Sequence, residues 1–351
     1  MIISRTPYRL SLFGGGTDYP GWYLNNCGQV LSTTIDKYLF ISCRYLPPFF
    51  EHNLRLVYSK IENCETSSEL DHPTARETLK YLNINGGLEI HYDGDLPGRS
   101  GMGSSSAFTV GLLNALYAYQ GKVVSAAQIA KESIHIEQNL VGETVGSQDQ
   151  VNAAYGGFNK IQFFTDGEIA VKPLCIDCDV IEQLDQHLML FYTGIMRTAE
   201  YIAATYVDNI LSKDKQLRRI YSMVEECEII LRKGDDLNEV GNLLHEAWLQ
   251  KRSLSREISN HRVDQLYEAA RTAGALGGKL SGAGGGGMLL LFVPLDKQEQ
   301  VKEKLKNIVH IPFRFESKGS EIIFKDNRPR YEEKEQHRRG ERTKYIELED
   351  I

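Results

Sequence analysis

The chain has 351 residues, of which 42% are hydrophobic and 25% are charged, and its formal net charge is −7. These values are typical of a globular protein large enough for two domains, and the acidic balance argues against nucleic-acid binding as the main activity. No run approaches roughly 18 consecutive apolar residues, and the N-terminal MIISRTPYRLSLFGGG lacks a long apolar stretch with a cleavage site, so we expect no membrane-spanning helix, no signal peptide and a cytoplasmic protein.

The first half of the chain is rich in short strand patterns. Residues 8–13, 37–46 and 87–93 alternate apolar and polar side chains, with many β-branched and aromatic residues, which predicts strands. Apolar residues recur at helical spacing over 107–117, directly after a run of serines, and again over 126–140. Strands and helices are therefore interleaved in this part of the chain.

The second half is almost wholly helical in pattern from residue 199 to residue 273, and a buried strand is predicted at 288–293. A helix-dense second half after a strand-rich first half favours an α+β fold over a regular βα repeat. We expect a domain boundary within 180–195. The last residues, 325–351, form a highly charged tail that we expect to be solvated or to serve an interaction.

Three glycine-rich stretches stand out. They are GGGTDYPG at 14–21, PGRSGMGSSSA at 97–107 and GGKLSGAGGGG at 277–287, named here the first glycine loop, the serine loop and the third glycine loop. Glycine lets backbone N–H groups approach a ligand, and a helix N-terminus adds unpaired donors and a positive dipole end. The serine loop combines both features, which predicts a polyphosphate site. The alternative is a glycine-rich turn with serine helix caps.

Two common nucleotide-binding patterns do not fit the serine loop. A Walker A loop requires a lysine after its last glycine, and none is present. Gly98, Gly101 and Gly103 give GxxGxG rather than the GxGxxG of dinucleotide-binding folds, and no acidic residue follows at the required distance.

The serine loop instead resembles the second motif of the GHMP kinases, the family that includes galactokinase, homoserine kinase, mevalonate kinase and phosphomevalonate kinase. PYRLSLFGGGTDYPG at 7–21 resembles their first motif, and KLSGAGGGGMLLLF at 279–292 resembles their third. The three motifs occur in order and cover nearly the whole chain. One glycine loop is weak evidence, whereas three in order are specific.

This resemblance implies an α+β fold of two domains. An N-terminal domain, 1–190, would resemble ribosomal protein S5 domain 2 and bind ATP. A ferredoxin-like C-terminal domain, 191–324, would follow, and the charged tail, 325–351, would end the chain. ATP and the acceptor would then bind in the cleft between the domains.

The resemblance also implies the catalytic groups. Asp149, in GSQDQVNAAYGG, would accept the proton of the acceptor hydroxyl, and Arg9 would hold Asp149 ionised. Glu137 and Ser105 would bind Mg²⁺, which prefers a few protein oxygens beside water and phosphate; Ser104 and Ser106 are alternative ligands. The alternatives are a cap aspartate, an exposed strand arginine and a solvated helix glutamate.

The remaining site residues follow from the same motifs. The residues expected to bind ATP are Pro97, Gly98, Gly101, Met102, Gly103, Ser104, Ser105 and Ser106. The residues expected to bind the acceptor are Gly15, Gly16, Thr17, Asp18, Arg197, Gly284 and Gly285. ATP and Mg²⁺ are the implied cofactors.

The first glycine loop narrows the range of possible acceptor molecules. Sugar kinases often carry Glu-His-Thr-Asp where this chain has Gly-Gly-Thr-Asp, and this form resembles the branch that phosphorylates D-glycero-D-manno-heptose 7-phosphate. The implied product is the 1,7-bisphosphate, for GDP-heptose and surface polysaccharide synthesis. A sugar phosphate needs basic residues, and Arg197, Arg99, Lys37 and Arg44 are candidates among which spacing does not choose.

Two other functions remain open. One is a different sugar 1-kinase, similar to fucokinase or galactokinase. The other is a non-catalytic sugar or nucleotide sensor, which would have no need of Asp149, Glu137, Ser105 and Arg9. The expected partners are a small sugar phosphate and ATP, with no nucleic acid and no membrane. The oligomeric state is left open, a homodimer being one option.

Overall fold

The structure is a computed structural model that describes residues 1–47, 50–196, 199–207 and 209–326. Its strands are β1 (Ile2–Phe13), β2 (Gly28–Tyr45), β3 (Leu54–Val57), β4 (Ile61–Cys64), β5 (Leu88–Gly94), β6 (Asn159–Phe163), β7 (Ile169–Pro173), β8 (Leu188–Tyr192), β9 (Gly277–Leu280), β10 (Met288–Phe292), β11 (Val309–Ile311), β12 (Phe315–Glu316) and β13 (Glu321–Lys325).

The α-helices of the described residues are α1 (Pro20–Asn26), α2 (Pro73–Tyr81), α3 (Ser104–Tyr119), α4 (Ala126–His135), α5 (Gln148–Tyr155), α6 (Cys178–His187), α7 (Ala199–Val207), α8 (Asp214–Lys233), α9 (Asn238–Arg252), α10 (His261–Thr272) and α11 (Gln298–Lys304). Short 3₁₀ turns occur at Ser67–Glu69, Ile210–Lys213, Arg256–Ile258 and Leu295–Lys297, and a π-helical turn, Ile136–Val141, continues α4.

A large sheet of nine strands is built around β1 and β2. Its main path runs β13-β1-β2-β5-β3-β4, while β6 and β12 also pair with β2, and β7 pairs with β6. Because β2 is 18 residues long, different parts of it pair with different partners: Leu39–Tyr45 with β5 and Gly28–Ser32 with β6. This sheet places Arg9 of β1 opposite Thr34 of β2.

The second sheet is smaller and antiparallel, with the order β11-β8-β10-β9. All five residues of β10 are buried, which explains why its sequence, MLLLF, is continuously apolar rather than alternating. Helix α9 packs on β9, and α8 packs on α9. The third glycine loop includes β9 and its connection to β10.

Helix α3 packs against β1 and β2 and is buried over most of its length. Its approach to β1 is close: a Cβ added at Gly111 would lie 2.8 Å from Thr6 Oγ1. Since α3 begins directly at the serine loop, the packing of its apolar side chains sets the direction in which the first turn of the helix points.

The predicted α+β class is confirmed. Strands cover the predicted segments 8–13, 37–46 and 87–93 in large part, and helices cover most of 199–273. The domain limits at residues 190 and 324 stay a prediction; β12 and β13, near the C-terminal end of the described chain, pair within the large sheet. Within the described ranges, we find no helix with the length and apolarity needed to cross a bilayer.

Candidate active site

A cleft of about 410 Å³ is enclosed by the three glycine-rich loops, the first turn of α5 and the C-terminal end of α9. The serine loop contributes Gly101 and residues 103–106 to its lining. The lining also includes Asp18, Tyr19 and residues 143–146. The cleft therefore combines a helix N-terminus with polar loop residues.

Within the serine loop, Gly103 (φ 74°) is left-handed and is the N-cap of α3. No side chain caps α3 among the described residues, so the first N–H groups of this 16-residue helix are free for a ligand. Because the helix dipole also places positive charge there, this end of the cleft suits phosphate oxygens.

The serine loop and the third glycine loop touch backbone to backbone. A Cβ at Gly101 would lie 2.5 Å from the carbonyl oxygen of Ser281, and one at Gly282 would lie 2.8 Å from the Gly101 oxygen. The Met288 N–H donates to the Ser100 oxygen at 2.9 Å. These contacts require glycine and hold the two loops together at the cleft.

Arg9 and Asp149 form a bidentate ion pair at the floor of the cleft. Arg9 Nε donates to Asp149 Oδ1 at 2.6 Å, and Nη2 donates to Oδ2 at 2.8 Å. Arg9 Nη1 donates to the Gly101 oxygen at 2.7 Å, which ties the pair to the serine loop. The Arg9 side chain is 4% exposed and that of Asp149 is 23% exposed, so the carboxylate faces the cleft.

Asp18 lies buried beside this pair. Its Oδ1 accepts from the Gly16 N–H at 2.9 Å, and its Oδ2 accepts from Gln148 Nε2 at 3.0 Å. Burial is the largest cause that raises the pKa of Asp18, and the nearby Asp149 adds to it. Asp149 and Asp18 therefore differ in their partners: Asp149 has an arginine, whereas Asp18 has amide donors.

Comparison with known proteins assigns the chain to a family. Residues 72–157 match the N-terminal domain of the GHMP kinases, and residues 223–310 match the C-terminal domain. The chain belongs to the GHMP kinase family. Its fold is the one expected from the three motifs.

Individual relatives agree with this assignment. The chain is 28% identical over 345 residues to a D-glycero-alpha-D-manno-heptose 7-phosphate kinase of Campylobacter jejuni, covering 91% of this chain and 97% of that protein. It is 26% identical over 332 residues to a bifunctional fucokinase/GDP-fucose pyrophosphorylase of Arabidopsis thaliana, covering 86% and 30%. A crystal structure of a D-glycero-D-manno-heptose 1-phosphate kinase from Bacteroides thetaiotaomicron has a TM-score of 0.75 at 22% identity, covering 93% and 100%.

Glu137 of this GHMP kinase lies in the π-helical turn that continues α4, and it is fully buried. Ser106 Oγ and Gln150 Nε2 donate to its Oε2 at 2.9 and 2.5 Å, and Thr109 Oγ1 donates to its Oε1 at 2.5 Å. Burial raises the pKa of Glu137 to about 7. A bound cation would favour the charged form.

The groups around Glu137 fit Mg²⁺ by their chemistry. The carboxylate, the Ser106 hydroxyl and the carbonyl oxygen of Gln150 are all hard oxygen donors. Gln150 Oε1 is buried and has no hydrogen-bond partner among the described residues, so it has lone pairs to offer. Ser105, the serine expected to share the metal with Glu137, is exposed, and Ser106 is the one that contacts Glu137.

The predicted ATP-binding residues fall into two groups. Those that line the cleft are Gly101, Gly103, Ser104, Ser105 and Ser106. Pro97 and Gly98 lie in the exposed turn before them, and Met102 is fully buried in the core. The role of each residue stays a prediction.

Only some of the predicted acceptor-binding residues line the cleft. Those that line the cleft are Gly15, Gly16, Asp18 and Gly284. Thr17 is buried, and its Oγ1 donates to the backbone oxygens of Gly14 and Gln29 at 2.8 and 2.9 Å. The Gly285 N–H donates to the Ile258 oxygen at 2.8 Å. Arg197 lies outside the described residues.

The other basic candidates for a sugar phosphate lie in different places. Lys37 pairs with Asp36, and Arg44 pairs with Glu89, both away from the cleft lining. Arg99 lines the cleft at the serine loop.

Two lysines that line the cleft were not predicted from the sequence. Lys251 and Lys279 are 7% and 4% exposed, and both contribute to the lining. The sequence contains a signal for Lys251, because this residue continues the apolar stripe of Leu244, Ala247 and Trp248 at helical spacing. A lysine on the buried face of a helix is unusual and points to a specific partner or ligand.

Two tyrosines of the cleft also had no sequence signal. Tyr19 and Tyr206 pack edge to face with ring centroids 6.0 Å apart, and both line the cleft. Tyr19 is the residue before α1 and Tyr206 lies in α7, so the two are far apart in the sequence. No local pattern connects them.

Proposed function

We propose that this GHMP kinase transfers the γ-phosphate of MgATP to the anomeric hydroxyl of D-glycero-D-manno-heptose 7-phosphate and forms the 1,7-bisphosphate. The observation that carries the proposal is the Arg9–Asp149 pair, which faces the cleft beside the free N-terminus of α3. The 28% identity with the heptose 7-phosphate kinase of Campylobacter jejuni supports the choice of sugar.

In this mechanism the serine loop and the N-terminus of α3 hold the phosphates of ATP. Asp149 accepts the proton of the anomeric hydroxyl while the sugar oxygen bonds to the γ-phosphorus and the bond to the β-phosphate oxygen breaks, releasing ADP. Arg9 fixes both oxygens of Asp149 in one orientation. Mg²⁺, held by Glu137 and Ser106, would neutralise charge on the phosphates when bound.

Asp18 and Gln148 would orient the sugar. Gln148 Oε1 is buried without a hydrogen-bond partner among the described residues, and Gln148 lines the cleft. An amide oxygen that has lost water and gained no partner is suited to accept a hydrogen bond from a sugar hydroxyl.

A second candidate is a 1-kinase for a free hexose. The 26% identity over 86% of this chain with the bifunctional fucokinase/GDP-fucose pyrophosphorylase of Arabidopsis thaliana favours it. The two candidates differ only in the acceptor, so a comparison of acceptors separates them.

The test is ADP release with MgATP and a panel of sugars: D-glycero-D-manno-heptose 7-phosphate, L-fucose and D-galactose. We expect turnover with the heptose phosphate alone, and Asp149→Ala to lower kcat at least about 100-fold because proton acceptance is lost. The matched control is Asp235→Ala, since Asp235 is exposed in the loop between α8 and α9. Turnover with a free hexose would show that the acceptor is a hexose rather than the heptose phosphate. Full activity in Asp149→Ala would refute the catalytic role assigned to Asp149.

A further inference from the structure

Lys251 and Lys279 are two buried cations at the floor of the cleft. Lys251 Nζ donates to the Gly282 oxygen, and Lys279 Nζ donates to the Leu12 oxygen at 3.1 Å. Neither pairs with a carboxylate in the part of the chain that the structure describes. Since an ammonium group has three donors, each lysine has donors left for a ligand.

Neither lysine has a carboxylate in direct contact among the described residues. Burial lowers the pKa of Lys251 to about 8 and lowers that of Lys279 well below its usual value, and Arg9 adds to both effects. Arg9 has its own partner in Asp149. Because a buried ammonium group without a directly bonded counter-charge is unfavourable, this arrangement favours an anionic ligand.

Lys279 lies next to the first glycine loop, whose Gly15, Gly16 and Asp18 line the cleft. The carboxylate of Asp18 raises the pKa of both lysines, whereas Asp149 contributes only to that of Lys251. Lys279 also donates to Leu12, which is two residues before the first glycine loop. Both lysines line the same cleft as Asp18 and Asp149.

We propose that Lys251 and Lys279 hold the phosphate group that the acceptor sugar already carries, so that the enzyme selects phosphorylated sugars over free ones. This inference rests on the proposed function for the identity of the acceptor. The anomeric hydroxyl lies at Asp149, the sugar ring passes Asp18, and the distal phosphate ends at the two ammonium groups.

The first experiment compares two acceptors in Lys251→Met and Lys279→Met. For D-glycero-D-manno-heptose 7-phosphate we expect KM to rise about 10- to 100-fold, the effect of a lost charge-assisted hydrogen bond. For D-glycero-D-manno-heptose, kcat/KM stays unchanged, as does KM for ATP. Lys37→Met, which removes a lysine outside the cleft lining, is the matched control and leaves all constants unchanged.

An equal loss with both sugars, or a rise in KM for ATP, would overturn the proposal, because the lysines would then support the loops or the donor phosphates. A structural role alone would not change the preference between the two sugars. Should one variant fail to fold, as judged by circular dichroism, the other lysine provides the same comparison.

A second experiment separates this inference from the identity of the sugar. Inorganic phosphate is used as an inhibitor of the wild-type enzyme with whichever sugar it phosphorylates, and we expect competition with the sugar but not with ATP. Competition with ATP would overturn the lysine assignment. If the enzyme phosphorylates a different sugar phosphate and inorganic phosphate competes with it, the proposed function fails and the anion site stands. Turnover with a free hexose alone would overturn both.

Discussion

His72 is a titratable side chain that helps to form both a helix and the cleft. Its Nδ1 accepts from the Ala75 N–H at 3.3 Å and so caps the first turn of α2, while its ring lies 4.7 Å from that of Phe108. Burial lowers the pKa of His72, because the charged imidazolium would lose water there. The cap also requires an unprotonated Nδ1.

This pKa shift predicts a loss of stability in acid. In the unfolded chain His72 binds a proton near pH 6.5, whereas the folded chain resists protonation until lower pH. Its contribution to the free energy of unfolding is therefore complete above about pH 6.5 and falls as the pH falls through the folded pKa. His72→Asn keeps a capping side chain without a titrating group.

We expect the melting temperature of the wild type to fall relative to His72→Asn between pH 7 and pH 5, measured by circular dichroism. The exposed His261→Asn is the control and should follow the wild type. Parallel curves for wild type and His72→Asn would contradict the argument.

At the scale of elements, the serine loop depends on individual glycines to different degrees. Gly101 has φ 80° and touches Ser281, whereas a Cβ at Gly98 would meet nothing within 4 Å. Both glycines belong to the same motif, so the motif alone assigns them equal weight. The structure shows that only one of the two is held against another loop.

We predict that Gly101→Ala destabilises the fold and raises KM for ATP. A left-handed alanine costs about 1–2 kcal/mol, and its Cβ would lie 2.5 Å from the Ser281 oxygen, so the loop has to move. Gly98→Ala is the control in the same loop and should leave both quantities unchanged. Melting curves and ATP saturation curves check this, and equal behaviour of the two variants would refute it.

At the scale of the whole molecule, the C-terminal end of the described chain forms the strand at one end of the main path of the large sheet. The Ser320 N–H donates to the Ala153 oxygen at 2.9 Å, and Asn114 Nδ2 donates to the Ser320 oxygen at 3.1 Å. Arg5 of β1 pairs with Glu321 at 2.9 Å. Residues far along the chain thus support α5 and β1, the elements that carry Asp149 and Arg9.

Gly319→Ala tests this long-range support. A Cβ there would lie 2.2 Å from the backbone oxygen of Ala154, so β13 or the end of α5 has to shift. We expect the melting temperature to fall by a few degrees, the usual effect of about 1–3 kcal/mol of overpacking in a chain of this size. We also expect kcat to fall, since α5 carries Asp149. An unchanged melting temperature and an unchanged kcat would contradict the prediction.

Much of this arrangement follows from local sequence. Alternation over 8–13 and helical spacing over 107–117 are short-range signals, because side-chain direction repeats every two residues in a strand and about every 3.6 residues in a helix. The three glycine motifs are sufficient to predict the family. Arg9 lies in the first of them, and the family resemblance then points to Asp149 in GSQDQVNAAYGG. Local patterns suffice wherever the chemistry and the backbone requirement lie within one motif.

Only the tertiary structure decided which of these residues meet. Arg9 and Asp149 are 140 positions apart, and their bidentate contact depends on the packing of β1 beside α5. The contact of Ser106 with Glu137, and the burial of Lys251 and Lys279 without a directly bonded carboxylate, likewise arise from distant segments. Burial and electrostatic interaction depend on what surrounds a side chain in space, and no local spacing contains that information.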